Sequence, residues 1–318
     1  MNGVRAIIRK ELADHFSSYR FIILFALIAM VSLITVYMVG LNIRNELEGV
    51  AKPKFIFLML FTSSGALFSL VQFVAFFGPL IGLILGFDAI NRERNDGTLS
   101  KLLSQPIYRD VVINGKFLAG VITITVMLVS IVMLVTGLGL SIVGVIPGME
   151  EFWRIFVYLI ISIIYVSFWL GVSILFSIIF RSIATSALAA LAVWIFFSFF
   201  ISLGASVVAN AFLSESGEST PEAVVKRAKI VRGVSLASPM QLYTSATATI
   251  IDPTRKTTRS IVAMGPMEQM SMSRFSGPLS LSQSVFIVMP YIVTLIAVTL
   301  ICFGISYLVF MRQEIRSL

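Results

Sequence analysis

The sequence predicts an all-α integral membrane fold with six transmembrane helices, and three observations lead there. Apolar residues fill 58% of the 318 positions against 13% charged, with a mean hydropathy of +0.97, more hydrocarbon than a water-soluble core of this length encloses. Six apolar runs, 21–41, 66–87, 117–146, 155–180, 183–209 and 285–310, each reach the roughly 20 residues needed to cross a hydrocarbon layer about 30 Å thick. Lys and Arg gather at the ends of these runs, so the net charge of +8 reads as topology and contact with lipid headgroups, not as a nucleic-acid surface.

Ahead of the first run, Val4, Ile8, Leu12 and Phe16 share one helical stripe, with Arg5, Arg9 and Lys10 elsewhere on the circumference. That is the pattern of an amphipathic helix in the headgroup layer. The first run is too long for the apolar core of a cleaved leader, and no small-x-small site follows it. In the second run Gly78, Gly82 and Gly86 recur every fourth residue beside Pro79. Their bare face allows close approach of another helix, within the subunit or from a second one.

The polar stretch 88–116 separates the second and third runs. Gly97 lets the chain turn, Thr98 is placed to cap a short helix carrying Leu99, Leu102 and Leu103, and Pro106 ends it. Such a helix across the mouth of two spans is shaped to meet a soluble partner, with an ordinary interfacial loop as the alternative. Between the fifth and sixth runs, 211–284 is longer than a connection requires. Thr220-Pro221-Glu222 opens a helix over 223–232 that is basic on one side, and 244–276, rich in Ser, Thr, Gly and Met, reads as irregular. The organisation expected is a membrane domain over 1–210, a small extracytoplasmic segment over 211–284, and the last span with its tail over 285–318.

Charge sets the orientation. The N-terminal segment, 88–116, Arg181 and the C-terminus hold 12 Lys and Arg, whereas the opposite short loops hold four, Arg44, Lys52, Lys54 and Arg154. The long segment 211–284 is left out of that comparison, and both termini are expected in the cytoplasm of a cell whose cytoplasmic membrane the chain crosses.

Several chemistries are excluded by what the sequence lacks. No G-x-x-x-x-G-K-[ST] phosphate loop occurs, since Gly115-Lys116 has neither the upstream glycine nor a following hydroxyl residue. No H-E-x-x-H or G-x-S-x-G occurs, and the lone His15 and lone Cys302 cannot assemble a triad or a multi-ligand metal site. The spans carry almost no ionisable residue in their central thirds, where ion-coupled carriers place theirs. The chain is therefore expected to be no enzyme, and any transport it supports draws energy from elsewhere.

On that footing the residues carry a resemblance. Glu93, Gly97-Thr98, Leu99, Leu102, Pro106, Arg109 and Gly115-Lys116, in that order before the third span, resemble the signature of ABC type-2 permeases. Ile8-Arg9-Lys10-Glu11-Leu12 is similar to the start of that family, as are Ser238-Pro239 and Leu242-Tyr243 near its end, and the NosY-like branch is the nearest. The resemblance covers nearly the whole chain and departs in the enlarged loop before the last span. It implies an elbow helix, six spans, a coupling helix between spans two and three, and a homodimer bound to two separate ATPase subunits that hold ATP and Mg, working as an exporter. Glu93, Gly97, Thr98, Leu99, Leu102, Pro106 and Arg109 would then form the ATPase-coupling segment, with no cofactor on this chain. Glu93, between Arg92 and Arg94, is expected either to pair with a basic group of the ATPase subunit or to balance its two neighbours.

Two further readings accompany this one. Met264, Met267, Met270 and Met272 put four thioethers on the outer loop, where soft ligands could hold Cu(I), although plain packing by adaptable side chains is the stronger reading. The rival function is a membrane scaffold or sensor that binds an extracytoplasmic protein and moves nothing.

Overall fold

The computed structural model describes residues 2–46, 55–62, 69–98, 108–213, 221–255 and 277–313, and among these every regular element is helical. An N-terminal helix α1 (Asn2–Ser17) precedes α2 (Tyr19–Glu46), a short α3 (Ile56–Thr62), α4 (Leu70–Gly86) and a single turn α5 (Asn91–Asn95). The long α6 (Arg109–Val143) and α7 (Met149–Ile179) follow. The next rod is α8 (Ile183–Ile195), which runs through a π-helical turn (Phe196–Phe200) into α9 (Ile201–Leu213). Then come α10 (Pro221–Ser235), α11 (Pro239–Ile251) and α12 (Leu281–Arg312). Among the described residues six helical rods, α2, α4 with α5, α6, α7, α8 with its π turn, and α12, are long and apolar enough to cross a membrane, and α1 and the end of α12 meet at one end of the bundle, both against α5.

The bundle is organised around α7, which packs against α4, α6, α8, α11 and α12. Apolar burial gives little drive between helices in lipid, so close approach and hydrogen bonding decide the packing. The glycine stripe of α4 supplies the approach: a Cβ on Gly82 would lie 2.6 Å from the Val166 carbonyl oxygen, and one on Gly86 2.8 Å from the Ser173 Cβ. Gly78 faces Val166 in the same way at 3.1 Å, so all three stripe glycines serve packing within this subunit. Hydrogen bonds then fix the register. Tyr165 donates to the Ala75 carbonyl at 2.7 Å and Ser173 to the Leu83 carbonyl at 2.8 Å.

Two elements lie where a loop was expected. The heptapeptide of α3 buries Phe57, Leu58, Leu60 and Phe61. The stretch 244–276, read from composition as irregular, is helical as far as Ile251, and α11 is buried among α7, α12 and α4. Its Ser, Thr and Ala residues suit that position, because small side chains let three neighbours close in while Thr247 returns its hydroxyl to the Tyr243 carbonyl at 2.9 Å. The helix expected over 223–232 is present and longer, as α10.

The first turn of α7 fastens both short elements by helix-end electrostatics. Glu151 accepts from the Phe57 amide at 3.0 Å, placing a carboxylate at the positive N-terminus of α3. Arg154, with none of its surface exposed, donates to the Thr249 and Ile250 carbonyls at 3.3 and 3.0 Å, placing a guanidinium at the negative C-terminus of α11. Arg154 also donates to Ser284 Oγ at 3.2 Å, to the Leu279 carbonyl at 2.6 Å and to Glu150 at 2.9 Å, which draws in the start of α12.

Candidate functional site

On the side of the chain termini, α1, α5 and α6 meet around four charges. The Lys116 ammonium on α6, almost fully buried, lies 2.8 Å from Glu11 Oε1 and 3.1 Å from Glu93 Oε1. Lys10 reaches the same Glu93 oxygen at 2.9 Å and stands 3.6 Å from Glu11. Two ammonium and two carboxylate groups therefore alternate in a neutral ring, the condition under which buried charge is tolerable. Glu93 Oε2 is buried too and accepts no hydrogen bond among the described residues.

Local structure explains why these groups converge. Gly115 removes the side chain that would block α1, since a Cβ there would sit 2.8 Å from Ile7 Cγ2. Ile7 fills the opening, and one turn later the same face of α1 delivers Glu11 to Lys116. The innermost residues of α1 are thus Ile7 and Glu11, with Val4, Ile8 and Leu12 half-buried and Phe16 exposed. Glu93 is held from the other direction. Ser177 on α7 accepts from the amides of Ile90 and Asn91 at 2.9 and 3.2 Å and donates to Asn91 Oδ1 at 2.6 Å, and Asn91 Nδ2 donates to the Ser182 carbonyl at 3.3 Å.

The neighbouring arginines of Glu93 look elsewhere. Arg92 stands 3.9 Å from Asp96, and Arg94 donates to Gln313 Oε1 at 2.7 Å. Arg109 donates to the Gln313 carbonyl at 3.0 Å, tying the start of α6 to the end of α12. The chain leaves α5 through Gly97 at φ +66°, a left-handed conformation that favours glycine, and the Thr98 hydroxyl returns to the Glu93 carbonyl at 3.2 Å. Leu99, Leu102 and Pro106, and with them the short helix expected after Thr98, lie outside the described residues, as do Met264, Met267, Met270 and Met272.

Beside the ring opens a cavity of about 590 Å³, lined by charged residues that include Asp14, Arg20, Asp88 and Asp96. Arg20 and Asp88 pair across it at 3.1 Å. Burial pulls the Lys10 ammonium down, but the hydrogen bond and charge of Glu93 outweigh it and hold the group above the usual lysine value. Burial holds the His15 imidazole below the usual histidine range; Glu11 pulls the other way and Lys116 adds to the lowering.

Sequence reasoning named Glu93, Gly97, Thr98 and Arg109 here and missed the roles of Lys10, Glu11, Lys116, Asn91 and Ser177. Lys10, Glu11 and Lys116 stand inside motifs already quoted, and the signal available was the charge of Lys116 among apolar neighbours at the start of the third span. The first turn of α7 was missed for a different reason: Arg154 counts as one more loop charge until its acceptors are known.

Comparison with known proteins bears on what this arrangement serves. Residues 5–315 match the family described as ABC-2 family transporter protein. Over 223 residues the chain is 30% identical to the probable ABC transporter permease protein NosY of Stutzerimonas stutzeri, covering 70% of this chain and 75% of that one.

Proposed function

This chain belongs to the ABC-2 transporter family and is a transmembrane permease subunit of an ABC transporter, and we propose that it works as a homodimer driven by separate ATPase subunits docking on the side of its termini. The termini are then cytoplasmic, in keeping with the 12 Lys and Arg on that side, and the direction of transport is export, as the resemblance implies. ATP and Mg belong to the partner subunit, which supplies the hydrolysis.

The observation that carries this reading is the position of Glu93. It sits at the end of the rod formed by α4 and α5, beside the left-handed turn at Gly97 and the open charged cavity, and its one committed oxygen grips both Lys10 of α1 and Lys116 of α6. A displacement of the segment that follows Gly97 is passed through Glu93 to two other helices at once, because its carboxylate is held by both Lys10 and Lys116. Packed helices held by discrete pairs shift between arrangements instead of deforming continuously. Oε2, buried and without a hydrogen bond among the described residues, leaves the carboxylate room to re-pair as the ring shifts.

The test is co-expression of the chain with an ATP-binding subunit encoded beside it, followed by purification of the complex and measurement of ATP turnover. The chain alone should hydrolyse no ATP, and the complex should. Glu93→Gln should lower complex yield or uncouple turnover from transport, because it removes the charge that ties Lys10 and Lys116 to α5, a loss of about 2–5 kcal/mol for one partner of a buried pair, while Asp110→Asn on the same segment has much less effect. Unchanged yield and unchanged transport-linked turnover in Glu93→Gln would remove the coupling role.

A further inference from the structure

Glu93 links α5 to α1 and α6, and a second residue links α5 to two further rods. Gln313, the first residue beyond α12, accepts from Arg94 Nη2 through Oε1 at 2.7 Å. Through Nε2 it donates to the Ile178 carbonyl at 3.2 Å, in the last turn of α7. Its own carbonyl accepts from Arg109 Nη1 at 3.0 Å, at the first residue of α6. One residue thus joins the ends of α5, α6, α7 and α12. Ile178 is buried, and Ser306 donates to the Gly171 carbonyl at 3.3 Å, which ties α12 to α7 two turns further in.

The place calls for an amide. A primary amide accepts and donates at once, and here the oxygen serves α5 while the NH2 serves α7. A carboxylate would hold Arg94 but has no proton for the Ile178 carbonyl. Among the described residues Arg94 and Arg109 form no ion pair, and both are anchored on Gln313. The hold on α5 is divided along its length. Ser177 grips the start through the amides of Ile90 and Asn91, and Gln313 grips Arg94 one turn later, just before the left-handed turn at Gly97. Arg94 and Arg109 flank the segment assigned to coupling, so both of its ends are referenced to one residue.

The structure assigns to Gln313 the role of a positioning residue for the coupling segment: a displacement of that segment reaches α7 and α12 through Gln313, as it reaches α1 and α6 through Glu93. The assignment rests on the reading that the ATPase subunit docks on that segment. It adds that the input divides between two pairs of helices at two separate residues, one a carboxylate and one an amide. The amide branch leads to α7, which packs against α4, α6, α8, α11 and α12 and so carries the movement into the whole bundle.

Hydrogen–deuterium exchange tests this, on the full chain alone and on its complex with the ATP-binding subunit encoded beside it, with and without a non-hydrolysable ATP analogue. In the chain alone, Gln313→Met should raise exchange at the Asp96 and Gly97 amides, which close α5 onto Arg92 and Arg94, by about fivefold, as loss of one ordinary hydrogen bond implies. Val111, at the start of α6, should stay unchanged, because Arg109 still reaches the backbone carbonyl of residue 313. Arg94→Met should give the same rise, and the double variant no more than either single one. Gln313→Glu should restore the protection, since a carboxylate accepts from Arg94. In the wild-type complex the nucleotide should change exchange over 5–17 and 109–118 and also over 174–180 and 306–313. Both Gln313→Met and Gln313→Glu should lose the change over 174–180 and 306–313 and keep it over 5–17 and 109–118, whereas Glu93→Gln should do the reverse. Unchanged exchange at Asp96 and Gly97 in Gln313→Met, or nucleotide responses that persist over all four segments in that variant, would overturn the assignment and leave the docking reading in place. A wild-type complex with no nucleotide response in any of the four would overturn both.

Discussion

Arg154 on the far side gives three of its five hydrogen bonds to backbone carbonyls, the other two going to Ser284 and Glu150, whereas Lys116 on the terminal side lies against carboxylates carried by two other helices. Both cations are buried, yet the consequences differ. Carbonyls at the end of α11 and before α12 cannot exchange partners without unwinding a helix end, so Arg154 holds one arrangement. The ring at Glu93 has two cations competing for one carboxylate oxygen, a second oxygen uncommitted, and a cavity alongside. Charge held by backbone makes a fixed joint, and charge held by side chains makes one that can be re-paired. If the ATPase subunits dock on the terminal side as proposed, the side that receives the force is the one built to re-pair.

The largest expected effect comes from the fixed joint. Arg154→Met keeps the length and apolar contact of the stem but strands the carbonyls of Thr249, Ile250 and Leu279 inside the protein. Removing one partner of a buried ionic network costs about 3–5 kcal/mol. The variant should lose thermal stability in detergent, while Arg154→Lys recovers only part, since an ammonium lacks the planar fork that reaches several acceptors. A melting curve indistinguishable from wild type would mean that α11 is held by packing alone.

A smaller loss is expected at the re-pairable joint. Lys116→Met leaves Glu11 and Glu93 facing one another, but Lys10 stays within 2.9 Å of Glu93 and 3.6 Å of Glu11 and can take over part of the compensation. The cost should therefore fall near 2 kcal/mol, at the lower end for a buried charge pair. Adding Glu11→Gln to Lys116→Met should recover stability, because the two residues share one interaction and their effects do not add. If the double variant is instead the sum of the two single ones, the ring does not behave as a unit and the contrast with Arg154 fails.

The parts of this contrast that sequence reveals are those written in continuous runs. The spans are legible because each is an apolar stretch of membrane length, and the α4 glycines because their period matches a helix face. α11 escapes, since a helix wedged among three others needs small Ser, Thr and Ala residues, the same composition that marks a loop. α3 escapes because a run of seven residues is too short to cross a membrane. At the ring, Glu93 is recognisable as a charge beside a turn, but its partners Lys10 and Lys116 lie 83 and 23 positions away, brought there by Gly115 admitting Ile7. No local pattern encodes that meeting, and the adjacent arginines suggest a pairing the fold does not use.

The smallest effect sharpens the comparison through pH. His15 sits half-buried on the cavity wall, with Glu11, Asp14 and Asp88 near it on the acidic side and Lys116 on the basic side. Burial, aided by Lys116, holds its imidazole below the usual histidine range against the pull of the carboxylates, so the folded state prefers the neutral ring. A base whose folded pKa is depressed contributes stability that is present above its unfolded value, about 6.5, and lost as pH falls below it. The unfolded chain takes up the proton first, and acidification from pH 7 toward 5 should therefore lower the melting temperature by way of the terminal side. His15→Gln should flatten that slope without changing stability at pH 8. A wild-type slope that persists in His15→Gln would assign the pH dependence to the carboxylates around the ring.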